Sequence, residues 1–288
     1  MAVRYQRRRV TLNGVIASLH VYPVKSCRGI ACNEVVVRST GLAVDGVRDR
    51  EWMIVDALGR FVTQRELPQL ALIDVGASDG QIVLRMPGVD AVAPDIEGPI
   101  CDVGVWRSKV RGYDGGDAVA DALYAYTGRK LRLVRFDDAK PRRVNPDYAG
   151  DSGATTLFSD GYPILVIGRA SLDDLNDRLA TNGSIEMPMN RFRPNIVIDG
   201  LDAFDEDHAQ TLTIGNVVLK PVKPCVRCEI TTTDQDTGHR GIEPLRTLST
   251  FRRDDRLAGV TFGMNAIVAA GAGDVIAVGN EVETSLRF

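Results

Sequence analysis

Residues 223–238 read KPCVRCEITTTDQDTG and carry more information about fold and chemistry than any other part of the chain. The β-branched run over residues 230–233 predicts a strand, and Cys225 and Cys228 precede it. A thiolate is the form of cysteine that binds soft metals, and the guanidinium of the adjacent Arg227 would favour an ionised sulfur at Cys228. This segment alone leaves open a structural cysteine pair, a zinc half-site or a cofactor ligand.

The rest of the composition narrows the choice for these cysteines. A four-ligand zinc site needs two further ligands at a suitable spacing, and the three histidines, His20, His208 and His239, form no paired motif. The number of cysteines is odd, which favours a reducing compartment over a disulfide framework. The five are Cys27, Cys32, Cys101, Cys225 and Cys228.

Length, charge and hydropathy exclude several classes of protein. A chain of 288 residues forms one large or two medium domains. A net charge of -3 gives no general electrostatic reason to bind nucleic acid or membrane. The basic segment 1–10 precedes no apolar stretch of signal-peptide length, and no apolar run reaches transmembrane length. We therefore expect a cytoplasmic monomer that binds neither a nucleic-acid polymer nor a membrane.

Most of the chain predicts short strands. Alternating hydrophobicity and β-branched content are the signals, and two turns with a glycine predict hairpins at residues 57–59 and 78–80. Single strands are predicted over residues 14–24, 70–75, 103–111 and 211–220.

Few helices are predicted. One covers residues 116–128 and ends on a glycine, and another opens with Ser171 as its N-cap and packs Leu172, Leu175 and Leu179 inward. Many short strands with few helices predict a mainly β fold with some helix (α+β) and a barrel-like architecture. Residues 137–155 are rich in Pro, Gly and charge, and they favour a boundary or a long crossing loop.

Four further clusters contain polar residues next to predicted strands. Each has an ordinary explanation as a solvated loop, a surface ion pair or a turn, and the first, with an ammonium, a hydroxyl and free backbone N–H groups, also suits an anion. The clusters are YPVKSCRG (22–29), VRDREW (47–52), FSDGYP (158–163) and RFRPNI (191–196).

Together with Arg227-Cys228, these clusters make the chain resemble proteins with a molybdenum-cofactor-sulfurase C-terminal (MOSC) domain. Among them it looks most like bacterial relatives of the mitochondrial amidoxime reducing component. The matching segments follow the order of that family from about residue 14 to about residue 280. They are YPVKSC (22–27), RDREWMIVD (48–56), GRFVTQR (59–65), SLDDLN (171–176), RFRPNIV (191–197), RCEITTTDQDTG (227–238) and FG (262–263).

The resemblance implies a fold, a cofactor and a set of roles. It implies a MOSC-type β-barrel with an N-terminal β-rich domain, the domains covering residues 10–136 and 150–288. The implied cofactor is the molybdenum cofactor, Mo-molybdopterin, with Cys228 as the metal ligand and catalytic residue. The residues implied to bind the cofactor are Lys25, Ser26, Arg50, Ser159, Asp160, Arg193, Asn195, Arg227 and Cys228.

Two departures from the family pattern bear on the site. Val226 stands where relatives often have a serine, which removes one hydrogen bond to the cofactor. Asn265 lies near a position that is aromatic in those relatives, so the shape of the bound substrate is open.

The expected function is reduction of N-hydroxylated small molecules, such as hydroxylamino-purines and amidoximes. The sequence has no dinucleotide fingerprint and no four-cysteine cluster motif. We therefore expect an external electron donor, a ferredoxin- or flavin-type reductase. The alternatives are a sulfur transferase with a persulfide on Cys225 or Cys228, and a non-catalytic carrier of the cofactor.

Overall fold

The structure is a computed structural model and describes residues 10–286. The basic residues 1–9 noted in the sequence lie outside the described part. The first half of the chain contains strands β1 (Val10–Val21), β2 (Ile30–Cys32), β3 (Glu34–Arg38), β4 (Gly41–Val44), β5 (Val47–Arg48), β6 (Trp52–Asp56), a 3-10 helix (Pro68–Leu72), β7 (Asp74–Ser78), β8 (Gln81–Met86), β9 (Val89–Val92), β10 (Ile100–Val105), β11 (Ser108–Asp114), helix α1 (Asp117–Thr127) and β12 (Leu131–Phe136).

The second half adds more strands and three helices. It contains β13 (Arg142–Arg143), α2 (Pro146–Ala149), β14 (Thr155–Thr156), β15 (Ile164–Gly168), α3 (Arg169–Thr181), a 3-10 helix (Met189–Arg191), β16 (Ile196–Asp199), a 3-10 helix (Asp205–His208), β17 (Ala209–Ile214), β18 (Val217–Val226), a 3-10 helix (Glu229–Thr232), α4 (Leu245–Leu248), β19 (Arg253–Asp254), β20 (Gly259–Ala270), β21 (Val275–Ala277) and β22 (Glu281–Leu286).

Seven strands close into a barrel. Their order is β15-β16-β1-β22-β17-β18-β20, and β20 pairs back onto β15, with Ile164 opposite Ala266. Alternate side chains point inward because successive residues of a strand face opposite sides. The interior is packed with buried apolar residues such as Ile16, Leu212 and Val282. The predicted mainly β, barrel-type fold is confirmed.

A second β-rich unit packs beside the barrel. It contains the sheet β10-β11-β12-β6, the meander β7-β8-β9 and helix α1, which buries Val119 and Leu123. Helix α1 ends as predicted, with Gly128 left-handed and its N–H donating to the carbonyl of Tyr124. Strand β1 belongs to the barrel although it precedes this unit in the sequence. The division into residues 10–136 and 150–288 stays a prediction.

The two hairpins with glycine turns are confirmed. Asp79 and Gly80 have φ angles of +50° and +77° and close the turn between β7 and β8. Gly59, with φ +70°, closes the other, where Val55 pairs with Phe61. Both follow the rule that tight hairpin turns need residues that tolerate positive φ.

Two predicted single strands are hairpins. The segment 103–111 turns at Trp106-Arg107, between Val105 and Ser108, and no Gly or Asn indicates that turn. The segment 211–220 turns at residues 215–216, a Gly-Asn pair that is a recognisable turn signal.

Two further local predictions are wrong for identifiable reasons. Residues 68–72 form a 3-10 helix begun by Pro68, and strand β7 starts only at Asp74. Residues 229–232 also form a 3-10 helix, because the hydroxyls of Thr231 and Thr232 donate to carbonyls three residues earlier and stabilise a turn over a strand.

Helix α3 begins two residues before the predicted cap. Its N-cap is Gly168, and Ser171 lies buried within the first turn, where its hydroxyl donates to Glu206 at 2.7 Å. The inward packing of Leu172, Leu175 and Leu179 is confirmed.

Candidate functional site

A cavity lies where the ends of several strands meet the loops between them. The loops after β1, β5, β14 and β18 and the approach to β16 each contribute to its wall. All nine residues singled out from the sequence line this one cavity: Lys25, Ser26, Arg50, Ser159, Asp160, Arg193, Asn195, Arg227 and Cys228. The two departures, Val226 and Asn265, line it as well.

Three of the lining residues have a left-handed backbone. The φ angles are +70° at Ser26, +49° at Arg50 and +55° at Arg193. A non-glycine residue in this region costs about 1–2 kcal/mol, so it persists only where surrounding contacts hold it. Residues of this kind concentrate at binding and active sites, and here three of them face one cavity.

Two arginines are stacked on one tyrosine. The guanidinium carbons of Arg50 and Arg193 each lie 4.3 Å from the ring centroid of the buried Tyr22. Arg50 is also paired with Asp49 at 2.6 Å, whereas Arg193 has no carboxylate partner within residues 10–286. Burial lowers the pKa of Arg193 to about 10, so it stays charged at neutral pH, and the nearby carboxylate of Asp49 is already paired with Arg50.

Asn195 fixes the wall behind these arginines. Its Nδ2 donates to Asp49 at 2.9 Å and to the carbonyl of His20 at 3.1 Å. Its Oδ1 accepts from the N–H of Leu165 at 3.1 Å and from Arg50 at 3.2 Å. Asn195 is 1% exposed. Its role in this structure is to join strands β1 and β15 to the arginine pair.

Lys25 supplies another cation to the cavity wall. Its ammonium donates to Asp160 at 2.5 Å and to the carbonyl of Phe158 at 3.0 Å. Burial lowers the pKa of Lys25, and the nearby Asp160 carboxylate offsets part of that effect. The Asp160 side chain is 67% exposed, so the solvent screens this ion pair.

Several polar atoms of the lining residues are buried without a hydrogen-bond partner. They include Ser159 Oγ, Arg193 Nη2 and Arg227 Nε. An unpartnered buried donor costs about 1–3 kcal/mol, and such groups in a native structure call for an explanation such as a missing ligand or ion. Donors of this type, together with four cations, fit a ligand with phosphate and other oxygen acceptors.

The cysteines are paired with different arginines from those the sequence suggests. The Nη1 of Arg227 lies 2.9 Å from Cys225 Sγ, not on its neighbour Cys228. Cys228 Sγ instead faces Nη1 of Arg65 at 3.8 Å. The expectation that Arg227 stabilises an ionised Cys228 is therefore wrong, because Arg227 contacts Cys225 instead. The backbone at Cys228 is extended, so successive side chains point in opposite directions.

The remaining cysteines do not reach the cavity. Burial raises the pKa of Cys27 to about 12 and that of Cys32 to about 11, which keeps both as thiols at neutral pH. Burial also raises the pKa of Cys101. The cavity therefore offers two half-buried thiols, Cys225 and Cys228.

Two residues that support the site were missed in the sequence. Arg65 ends the segment 59–65, but nothing in that segment indicates its contact with Cys228. Arg142 donates to the carbonyls of Leu157, Ser159 and Asp160 and so holds the loop that contributes to the cavity. It comes from the Pro- and Gly-rich segment 137–155, which carries no recognisable motif.

The donor set can be compared with what metals and cofactors require. Within residues 10–286, no group of three or more His, Cys, Asp or Glu side chains is placed to hold a metal ion. One thiolate with many N–H donors instead suits a metal that brings most of its own ligands on an anionic cofactor. The residues present fit a molybdopterin, since the cavity offers cations and N–H donors for its anionic groups and two thiols, Cys225 and Cys228, for its metal.

The described part of the chain contains no helix with the length and hydropathy needed to cross a membrane.

The chain is similar in sequence to known proteins over most of its length. Residues 13–130 match the MOSC N-terminal beta barrel domain, and residues 154–283 match the MOSC domain. Mitochondrial amidoxime reducing component 2 of Rattus norvegicus is 36% identical over 260 residues, covering 87% of this chain and 76% of the relative. The Bos taurus component 2 is 34% identical over 258 residues, with 87% and 76% covered. The Homo sapiens component 1 is 35% identical over 260 residues, with 87% and 75% covered.

Proposed function

The chain belongs to the family of MOSC-domain proteins that includes the mitochondrial amidoxime reducing components, and we propose that it is a molybdenum-cofactor-dependent reductase of N-hydroxylated small molecules. The observation that carries the proposal is that all nine residues expected from the sequence line one cavity. The cavity is lined by buried polar atoms that have no hydrogen-bond partner. Two of its cations, Arg50 and Arg193, have a left-handed backbone.

The proposed cofactor is held by its anionic and polar groups. Lys25, Arg50 and Arg193 supply positive charge, and the buried hydroxyl of Ser159 supplies a further hydrogen-bonding group. Asn195 orients Arg50 by accepting from its guanidinium. Cys228 supplies the thiolate that binds the metal.

The reduction converts an N-hydroxyl compound to the corresponding amine and water, and it consumes two electrons and two protons. When bound, the molybdenum cofactor supplies the oxygen-accepting redox chemistry. The chain supplies orientation and charge. The guanidinium of Arg65 lies 3.8 Å from the sulfur of Cys228. The ammonium of Lys25 is a proton-bearing group in the cavity wall. The electrons come, in this proposal, from an external ferredoxin- or flavin-type donor.

The test is turnover of an N-hydroxylated base with reduced viologen as a chemical donor. We expect wild-type protein from a cofactor-competent host to form the amine, and Cys228→Ser to abolish the activity while the protein stays folded. Cys225→Ser is the matched control, since it removes the other half-buried thiol of the cavity. Failure with every strong donor would exclude the reductase proposal.

Sulfur transfer is a second candidate because of one contact. The guanidinium of Arg227 lies 2.9 Å from Cys225 Sγ, where it would contact a sulfur atom carried by that thiol. In that case the sulfur of Cys225 would take the outer sulfur of a persulfide donor, releasing the donor's thiol, and would then pass that sulfur to a nucleophilic acceptor. Persulfide labelling that depends on Cys225, in protein free of molybdenum, would favour this function. Molybdenum-dependent turnover that survives Cys225→Ser would exclude it. A protein that binds the cofactor but never turns over would be a carrier.

A further inference from the structure

An open groove adjoins the cavity on its solvent side. It has a volume of about 940 Å³, within the range of small-molecule sites, and shares Asp160, Gly161 and Tyr162 with the cavity wall. Arg65 connects the two spaces, because it lines the groove and its guanidinium also contacts Cys228 Sγ. A molecule in the groove therefore has its inner end next to the proposed metal ligand.

The groove is basic, in contrast to the chain as a whole. Five cations line it against two carboxylates, while the chain carries a net charge of -3. Both carboxylates are engaged: Asp160 accepts from Lys25, and Glu66 accepts from the hydroxyl and the N–H of Thr63. The cations are Arg65, Arg107, Arg142, Arg143 and Lys223.

Two of these cations have no polar partner for their side chains in the described part of the chain. Arg107 and Arg143 are exposed and make no ion pair or side-chain hydrogen bond within residues 10–286. Arg142 is bonded to carbonyls of the 157–160 loop, and Lys223 lies over the ring of Tyr148 at 4.4 Å. Free guanidinium groups at the rim suit a phosphate, which they bind in a bidentate manner.

The groove also contains a planar apolar surface. Trp106 sits at the tip of a hairpin, and 51% of it is exposed although tryptophan has the largest side chain. Its φ is +54°, in a turn position where glycine is preferred. Its orientation is fixed, since Nε1 donates to Asp160 at 3.0 Å, the ring packs on Phe61 at 5.1 Å, and the guanidinium carbon of Arg65 lies 4.7 Å from the indole centroid. The part of the indole that Arg65 and Phe61 leave exposed is a stacking surface for a flat ring.

We propose that the groove binds the nucleotide portion of the substrate, so that the substrate class is an N-hydroxylated nucleobase carrying a sugar phosphate. This inference rests on the proposed reductase function. The flat ring stacks beside Trp106, the phosphate binds Arg107 and Arg143, and the N-hydroxyl group points past Arg65 toward Cys228. A neutral amidoxime would use only the inner part of this path.

The experiment compares an N-hydroxylated adenine nucleoside with its 5′-monophosphate, using reduced viologen as donor to loaded protein. We expect the monophosphate to have a kcat/KM about tenfold or more above that of the nucleoside, as one charge-assisted contact provides. The double variant Arg107→Ala/Arg143→Ala should bring that ratio close to one. Arg129→Ala is the matched control, because Arg129 is exposed beyond helix α1 and lines neither space; it should leave the ratio unchanged.

Calorimetry with unreactive adenosine 5′-monophosphate and adenosine gives a second readout that needs no turnover. Wild-type protein should bind the monophosphate about tenfold more tightly, and the double variant should not. If the nucleoside is reduced but the phosphate gives no advantage, the substrate inference fails and the reductase function stands. If neither compound is reduced, the reductase function fails, while a calorimetric preference lost in the double variant still supports the groove. An arginine effect seen only with a protein donor would identify the groove as a docking surface for an acidic partner and overturn the inference.

Discussion

Arg193 is the residue whose environment is hardest to explain without a ligand. It is 8% exposed, has a φ of +55°, leaves Nη2 without a partner and forms no ion pair within residues 10–286. Replacing such a buried cation by an apolar residue would stabilise a protein, unless an anion binds to the cation. Its stacking on Tyr22 holds the guanidinium in one orientation.

The first prediction is therefore that Arg193→Ala weakens cofactor retention about ten- to a hundredfold, which corresponds to about 1.5–3 kcal/mol for a charge-assisted hydrogen bond. Pterin content per chain after gel filtration measures the loss. Arg193→Lys keeps the charge but not the planar, stacked geometry, and we expect an intermediate loss. Thermal melting of both variants separates cofactor loss from unfolding. Unchanged pterin content in Arg193→Ala would remove this residue from the binding site.

The sequence identified the residue types of the site better than their pairing. The nine residues lie around one cavity, as the family motifs indicate, because motifs at strand ends converge when the barrel closes. The partners of the two cysteines could not be read from the sequence. Arg65 is 163 residues away from Cys228, and only the packed loops bring them together.

At the scale of the secondary-structure elements, Glu51 holds the loop that presents Arg50. Its carboxylate accepts from Arg48 at 3.1 Å and from Arg135 of strand β12 at 2.8 Å, with the side chain only 4% exposed. Burial raises the pKa of Glu51, but the hydrogen bonds and charges of Arg48 and Arg135 outweigh it and hold the pKa below its usual value.

The second prediction follows from the sign of that shift. A carboxyl whose folded pKa is depressed contributes stability above its unfolded pKa of about 4.3, and the contribution is lost as the pH falls through the lower, folded value. Glu51→Gln should lower the free energy of unfolding by about 1.5–3 kcal/mol at pH 7 and by much less near pH 3. Melting curves at both pH values measure this. The exposed Glu283→Gln is the control and should show little change at either pH. An equal loss at both pH values would exclude the charge-based explanation.

The elements themselves were predictable where a local signal existed. Helix α1 and the turns at Gly59 and Gly80 follow glycine chemistry and hydrophobic period, and the structure has them where expected. The hairpin at Trp106 was not predictable, because a bulky residue occupies a left-handed turn position. The 3-10 helix after Cys228 was missed for a similar reason: threonine favours strands on average, but here its hydroxyls bond locally.

At the scale of the whole molecule, the proposed reductase needs a source of electrons, and the sequence contains no recognisable motif for an electron relay. No glycine-rich dinucleotide fingerprint follows a strand in the sequence, and no four-cysteine cluster motif occurs in it.

The third prediction is that NADH or NADPH alone does not support reduction of a hydroxylamino-purine or an amidoxime. Addition of reduced viologen should start turnover, since a chemical one-electron donor would take the place of the proposed external donor. The rate of amine formation measures the effect, and Cys228→Ser provides the blank. Sustained turnover with NADPH and no added partner would reveal an internal redox site.

The most direct test of the proposed function is the metal and pterin content of protein freshly purified from a host that makes the molybdenum cofactor. We predict about one molybdenum and one pterin per chain in the wild type and in Cys225→Ser, and the loss of most of the molybdenum in folded Cys228→Ser. Zinc bound jointly by Cys225 and Cys228, with no molybdenum, would contradict the proposal.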